Sequence, residues 1–148
     1  MVQPRALTDD FSVSTQLIEA DFAELASAGY KTIINNRPDG EETGQLTASE
    51  AQKLAQAHGM NYVHIPVKMP ELTSAIVEEF STALAANPGP VLAHCKSGTR
   101  SCVLWTMASA QQNVMPLPEL MQRAAQSGYD LTRMRPMIEQ YINLINAD

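Results

Sequence analysis

The chain has only two cysteines, too few for a disulfide framework, so a reducing, cytoplasmic setting is the default expectation. Basic residues are also few. Ten Lys and Arg stand against 16 Asp and Glu, a formal net charge of −6. An acidic surface repels polyanions, which argues against nucleic-acid and anionic-membrane partners. No apolar run approaches the roughly 20 residues that a membrane-spanning helix needs. The first ten residues, MVQPRALTDD, lack the apolar segment of a secretion signal. His58, His64 and His94 have no ligand-like spacing, so neither a metal site nor a cofactor is expected. No repeat, low-complexity tract or linker-like stretch divides the sequence. What is present, 148 residues with 45% hydrophobic and 18% charged content, fits one soluble globular domain with a genuine core.

Periodicity then alternates between strands and helices. Phe11–Ser14, Tyr30–Asn35, Tyr62–Val67 and Val91–Ala93 read as strands, the second rich in β-branched residues. Helices are expected over Leu17–Ala28, from Thr47 to His58, from Thr73 or Ser74 to Ala86, and from Ser101 towards Gln112. Thr47-Ala48-Ser49-Glu50 is a capping box, and Gly29 and Gly59 stand where helix ends need a left-handed residue. Two further helices, Pro118–Ser127 and Arg135–Asn146, close the chain, and Met115, Met121, Met134 and Met137 in this part read as core filler rather than a groove. The expectation is an α/β single domain over residues 1–148, with a mostly parallel sheet of four to five strands covered by helices on both faces. Its core spans about 11–112 and its C-terminal helical part about 116–146.

Everything chemical converges on Val91 to Ser101, VLAHCKSGTRS. A strand ends in His94-Cys95, a four-residue loop follows, and Arg100-Ser101 opens a helix. The N-terminus of a helix presents unpaired N–H groups and partial positive charge, which favour an anion and favour a thiolate over a thiol. A thiol pKa lowered by about 2–4 units corresponds to roughly 3–5 kcal/mol of thiolate stabilisation. Cys95 is therefore the expected nucleophile. The N–H groups of Lys96, Ser97, Gly98 and Thr99 are expected to turn inward around one anion, with Gly98 supplying the conformational freedom. Arg100 closes the ring, Ser101 is placed to hydrogen-bond the thiolate, and His94 organises the loop rather than acting as a base. Cys102, one turn into an apolar helix, reads as core, with a rarer role as a resolving thiol for Cys95. The Asn35–Glu41 loop also follows a parallel strand and belongs on the same sheet edge, which makes Asn36, Arg37 and Asp39 candidates for a substrate-side role.

His-Cys-x(n)-Arg-Ser after a strand resembles the signatures of cysteine-dependent phosphatases and of rhodanese-type sulfurtransferases. The phosphatase loop has five residues between Cys and Arg; Cys-Lys-Ser-Gly-Thr-Arg-Ser has four, the rhodanese length. Phe11-Ser12-Val13-Ser14, the Asn35–Glu41 run, His64-Ile65-Pro66-Val67, HCKSGTRS, Gly128–Leu131 and Arg135-Pro136 occur in this order in one bacterial family. Its members have a dual-specificity-phosphatase-like fold and occur alone or fused to a metallo-β-lactamase-like persulfide dioxygenase. They are named phosphatase-like domains of β-lactamase-hydrolase-like proteins, and also sulfur transferases. The resemblance implies that fold and a possible persulfide dioxygenase partner.

It also implies two chemistries. A phosphatase of this fold carries an Asp general acid after the third strand, worth about 10²–10⁴-fold. Here Val67–Leu72 contains no Asp and Lys68 occupies the place, with Glu71 or Asp39 as substitutes. A shorter ring loses one N–H donor, which suits a persulfide's single terminal sulfur better than three phosphoryl oxygens. The leading expectation is therefore a sulfurtransferase passing sulfane sulfur through a Cys95 persulfide, from a small anionic donor such as thiosulfate to a thiol. The alternative is a phosphatase acting on a phosphorylated substrate through a phosphocysteine on Cys95. A non-catalytic module that recognises phosphorylated or sulfated ligands is the third reading.

Overall fold

Four parallel strands reach the same edge of one sheet, and that alignment places the site. In the computed structural model, which describes residues 2–146, the strands are β1 Arg5–Thr8, β2 Phe11–Ser14, β3 Thr32–Asn35, β4 Asn61–His64 and β5 Val91–His94. Their order is β1-β2-β5-β3-β4, with β1 antiparallel to β2 and every other pairing parallel. The register brings Ser14, His94, Asn35 and His64 side by side at the carboxyl edge. The expected single-domain α/β fold with a mostly parallel sheet is what the structure shows. β1 is the element that periodicity misses. It is an edge strand with only Leu7 buried, so it carries no apolar run to find.

The helices are α1 Glu19–Ser27, α2 Ala48–Ala57, α3 Ser74–Ala86, α4 Thr99–Gln111, α5 Leu117–Gln126 and α6 Arg135–Asn146. The Thr47 capping box forms as read: its hydroxyl accepts from Glu50 N–H while the Glu50 carboxylate accepts from Thr47 N–H. The third expected strand, Tyr62–Val67, overshoots. β4 ends at His64, yet Ile65 and Val67 N–H still bond to Asn35 and Asn36 carbonyls across Pro66, which has no N–H to give.

Alternation along the strands splits the core in two. Ile33 and Leu92 pack with Leu17, Phe22 and Leu25 under α1 and α2. Ile34, Ala93 and Val13 face the larger cluster with Val77, Phe80, Leu104, Leu120 and Ile138 from α3 to α6. α4 is the central helix of that side: every residue from Ser101 to Ser109 is buried, so it shows no amphipathic stripe and is held on all sides. Phe11 braces it, stacked on Trp105 and edge-on to Phe80. Cys102 sits in this core, where burial pushes its thiol up to about 12. The C-terminal methionines Met115, Met121, Met134 and Met137 all pack against the cluster, as the filler reading expects, and Met137 in addition lines an open groove with Met69, Met107 and Tyr141. Among the described residues no helix is long and apolar enough to cross a membrane.

Candidate active site

β5 delivers His94 and Cys95 to the carboxyl edge with both side chains buried. Burial holds the His94 imidazole neutral, its pKa pulled down to about 4, and its Nδ1 lies 3.4 Å from the Cys95 carbonyl. The Cys95 Sγ accepts a hydrogen bond from Gly98 N–H at 3.1 Å, which folds the loop back over the sulfur. That curve requires φ = +101° at Gly98, a left-handed angle natural to glycine. A Cβ there would meet Tyr129 Oη at 2.1 Å, so glycine is required for space as well.

Two groups clamp the loop from outside. Gln16 N–H donates to the Lys96 carbonyl at 3.2 Å and Tyr129 Oη to the Ser97 carbonyl at 3.2 Å. The expectation that all four loop N–H groups face inward needs correction. Gly98 N–H meets the sulfur, but Thr99 N–H donates to Ser97 Oγ at 3.3 Å. The Lys96 side chain is 68% exposed at the mouth, 3.9 Å from Glu42.

Arg100 lies in the first turn of α4 with its guanidinium anchored along one edge. Nη1 and Nη2 form a two-point ion pair with Glu41 at 3.0 and 2.8 Å, and Nη1 also donates to the Val67 carbonyl at 2.9 Å. Glu41 raises the Arg100 pKa first, and the Cys95 sulfur also contributes. Arg100 and Arg37 together hold the Glu41 carboxyl down at about 2. Glu41 Oε1 accepts from Arg37 Nε at 2.8 Å as well, tying the two arginines through one carboxylate. Glu41 has no role in the sequence reading beyond membership of the Asn35–Glu41 run. Nothing in its own neighbourhood signals a partner 59 residues away.

The second loop does reach the site. Asn36 N–H donates to the His94 carbonyl at 2.8 Å. Asn36 Nδ2 donates to the Ile65 carbonyl, which fixes its amide so that Oδ1 accepts from Ser101 Oγ at 2.8 Å. Ser101 is thus not a donor to the thiolate, contrary to expectation; its one O–H is committed to Asn36. Arg37, 2% exposed, donates to Gln16, Glu41 and Glu42. Asp39 turns away, and its carboxylate accepts from Ala48 N–H at the start of α2. A short 3-10 turn, Met69–Glu71, occupies the place after β4 where an acid is sought.

Residues 3–112 match the family model described as beta-lactamase hydrolase-like protein, phosphatase-like domain. A beta-lactamase hydrolase-like protein of Agrobacterium fabrum is 35% identical over 134 residues, covering 90% of this chain and 31% of that protein. The chain thus spans about a third of the length of the curated relatives it matches. Among solved structures, a candidate phosphatase from Neisseria meningitidis is 33% identical, with a TM-score of 0.83 over 92% of this chain and 96% of the other. Kinase associated phosphatase, with its catalytic-site cysteine replaced by serine, superposes with a TM-score of 0.75 over 100% of this chain and 97% of the other. At 14% identity that likeness speaks for the fold alone.

Proposed function

The chain belongs to the family described as the phosphatase-like domain of beta-lactamase hydrolase-like proteins, and from that membership we propose that it is a cysteine-dependent phosphatase. One observation carries the reading: the Cys95 sulfur lies at the carboxyl edge of the sheet, folded under Gly98 N–H and beside an Arg100 whose outer edge is pinned by Glu41. An Arg held this way presents its free edge to an anion above the sulfur without losing orientation. The preference for sulfur transfer, drawn from loop length and the missing Asp, yields to the phosphatase-like family and to the cysteine-phosphatase fold.

The Cys95 thiolate attacks the phosphorus of a bound monoester. The P–O bond to the leaving group breaks as the S–P bond forms, and the electron pair departs on the leaving oxygen. Arg100 and the loop N–H groups balance charge on the phosphoryl oxygens. Water then attacks the phosphocysteine, releasing inorganic phosphate and returning the thiolate. Glu41, ionised down to about pH 2, has no proton to give the leaving oxygen, and Asp39 is committed to α2. With neither Glu41 nor Asp39 able to protonate the leaving oxygen, the reading favours leaving groups that depart as anions, such as phenolates, carboxylates or a second phosphate.

Sulfur transfer remains the second reading on one specific observation, the four residues between Cys95 and Arg100. There, the thiolate attacks the outer sulfur of thiosulfate, the S–S bond breaks, sulfite leaves, and an acceptor thiolate takes the sulfur from the Cys95 persulfide. A persulfide dioxygenase is the partner that reading implies. Parallel assays separate the two. The phosphatase reading expects Cys95-dependent phosphate release from an aryl phosphate, at least about 10²-fold faster than from an alkyl phosphate. Thiocyanate formation from thiosulfate and cyanide without phosphate release overturns it in favour of sulfur transfer. The Cys95→Ser variant is the control in both.

A further inference from the structure

Beside the nucleophilic loop lies a cleft of about 330 Å³ lined by residues that include Gln16, Arg37, Glu42, Thr43 and Lys96. It begins one residue from the nucleophile, since Lys96 follows Cys95 at a Cα spacing of about 3.8 Å. Its two cations differ in kind. Arg37 is buried, with Nη1 oriented by Gln16 Oε1 and Nε by Glu41. Lys96 stands in solvent at the rim.

Between these cations is a single carboxylate, Glu42, 3.2 Å from Arg37 Nη2 and 3.9 Å from Lys96 Nζ. Its setting contrasts with that of its neighbour. Glu41 is locked by two guanidinium groups, while Glu42 is 58% exposed and held by one long hydrogen bond and one loose ion pair. Exposed pairs of that sort contribute little and are screened by salt, so Glu42 swings aside at small cost. A buried guanidinium nonetheless requires anionic company. Arg37 thus has one permanent counter-charge and one exchangeable one. With Glu42 withdrawn, Glu41 alone balances Arg37 and Arg100, and Lys96 loses the pair it makes with Glu42.

We propose that this cleft is a second anion subsite and that the substrate is a small molecule with two anionic groups. One reacts at Cys95 and Arg100; the other, a carboxylate or phosphate a few bonds away, replaces Glu42 between Arg37 and Lys96. The assignment rests on the phosphatase reading for the first group. It explains how an acidic protein attracts an anionic substrate: the positive charge is concentrated in one notch and is uncovered only by a ligand able to displace Glu42.

Titration calorimetry of the full chain with Cys95→Ser reads binding apart from turnover. Phenyl phosphate has one anionic head; carboxyphenyl phosphate and a phenylene bisphosphate have two. Both two-headed ligands, or the one that fits, are expected to bind at least about fivefold more tightly than phenyl phosphate. Glu42→Gln widens that ratio about two- to fivefold, and Lys96→Ala narrows it. The ratio is the readout, because removing any acidic residue favours all anions. Equal affinity for one- and two-headed ligands, with a ratio that Glu42→Gln leaves unmoved, overturns the subsite. Phosphate release by the protein with Cys95 intact is measured separately. Two-headed preference without release keeps the subsite and overturns the phosphatase reading; release without preference does the reverse.

Discussion

Gly98→Ala tests the loop geometry at its tightest point. The substitution forces an L-residue to φ = +101°, at a cost of about 1–2 kcal/mol. The new Cβ lies 2.1 Å from Tyr129 Oη and 2.7 Å from Cζ, so the Tyr129 ring must move. Moving it breaks the Tyr129–Ser97 hydrogen bond, worth about 0.5–1.5 kcal/mol. It also disturbs a buried ring packed beneath Arg5, adding about 1 kcal/mol or more. The sum, roughly 3–4 kcal/mol, lowers the melting temperature of a domain this size by roughly 10 °C. Tyr129→Phe removes only the hydroxyl and is expected to cost about 1 kcal/mol. Activity separates the two further. Gly98→Ala withdraws the N–H from the Cys95 sulfur, whereas Tyr129→Phe leaves it in place. A Gly98→Ala protein that melts within about 1 °C of the parent refutes this description of the loop.

Three further outcomes follow from the same geometry. Ser101→Ala leaves the buried Asn36 Oδ1 without its donor and is expected to cost about 1–3 kcal/mol, read as a shift of the urea midpoint. Acid should destabilise the fold in two stages. His94 is buried neutral with its pKa depressed to about 4, so the stability it contributes, about 3 kcal/mol, is complete above the unfolded value near 6.5 and is lost as pH falls towards 4. Glu41 is depressed from 4.5 to about 2, so its contribution is present above 4.5 and is lost between there and 2, and Glu41→Gln removes only this lower stage from a stability–pH profile. Cys102→Ala is expected to keep turnover while costing about 1–2 kcal/mol, because Cys102 fills core and its thiol is pushed up to about 12; loss of turnover at unchanged stability contradicts that.

Local signals made the centre of the molecule legible. The apolar run into His94-Cys95, the Gly98 turn and the helix beyond lie contiguous in the chain, so periodicity and loop chemistry are enough to find them. The same holds for the Thr47 capping box, whose partners are three residues apart. What local sequence does not carry lies in long-range partners. Glu41 meets Arg100 only because β3 and β5 are adjacent and in register, a fact of sheet order and not of either loop. The expectation that Ser101 donates to the thiolate fails because nothing near it in sequence reveals that Asn36 Oδ1 accepts its O–H. The Asp39 carboxylate is likewise taken up by Ala48 N–H, a partner set by how the loop closes on a helix nine residues on. Loop length, a purely local quantity, points to sulfur chemistry; it is membership of the phosphatase-like family that supports the phosphate chemistry proposed above.

The central claim is that Cys95 takes a phosphoryl group covalently. Acid-quenched mass spectrometry of the Cys95 peptide, after brief mixing with an aryl phosphate or with thiosulfate, reads it directly. One phosphoryl group on Cys95 from the aryl phosphate, absent in Cys95→Ser, is the predicted result. A single added sulfur from thiosulfate, with no phosphoryl adduct at any mixing time, contradicts it.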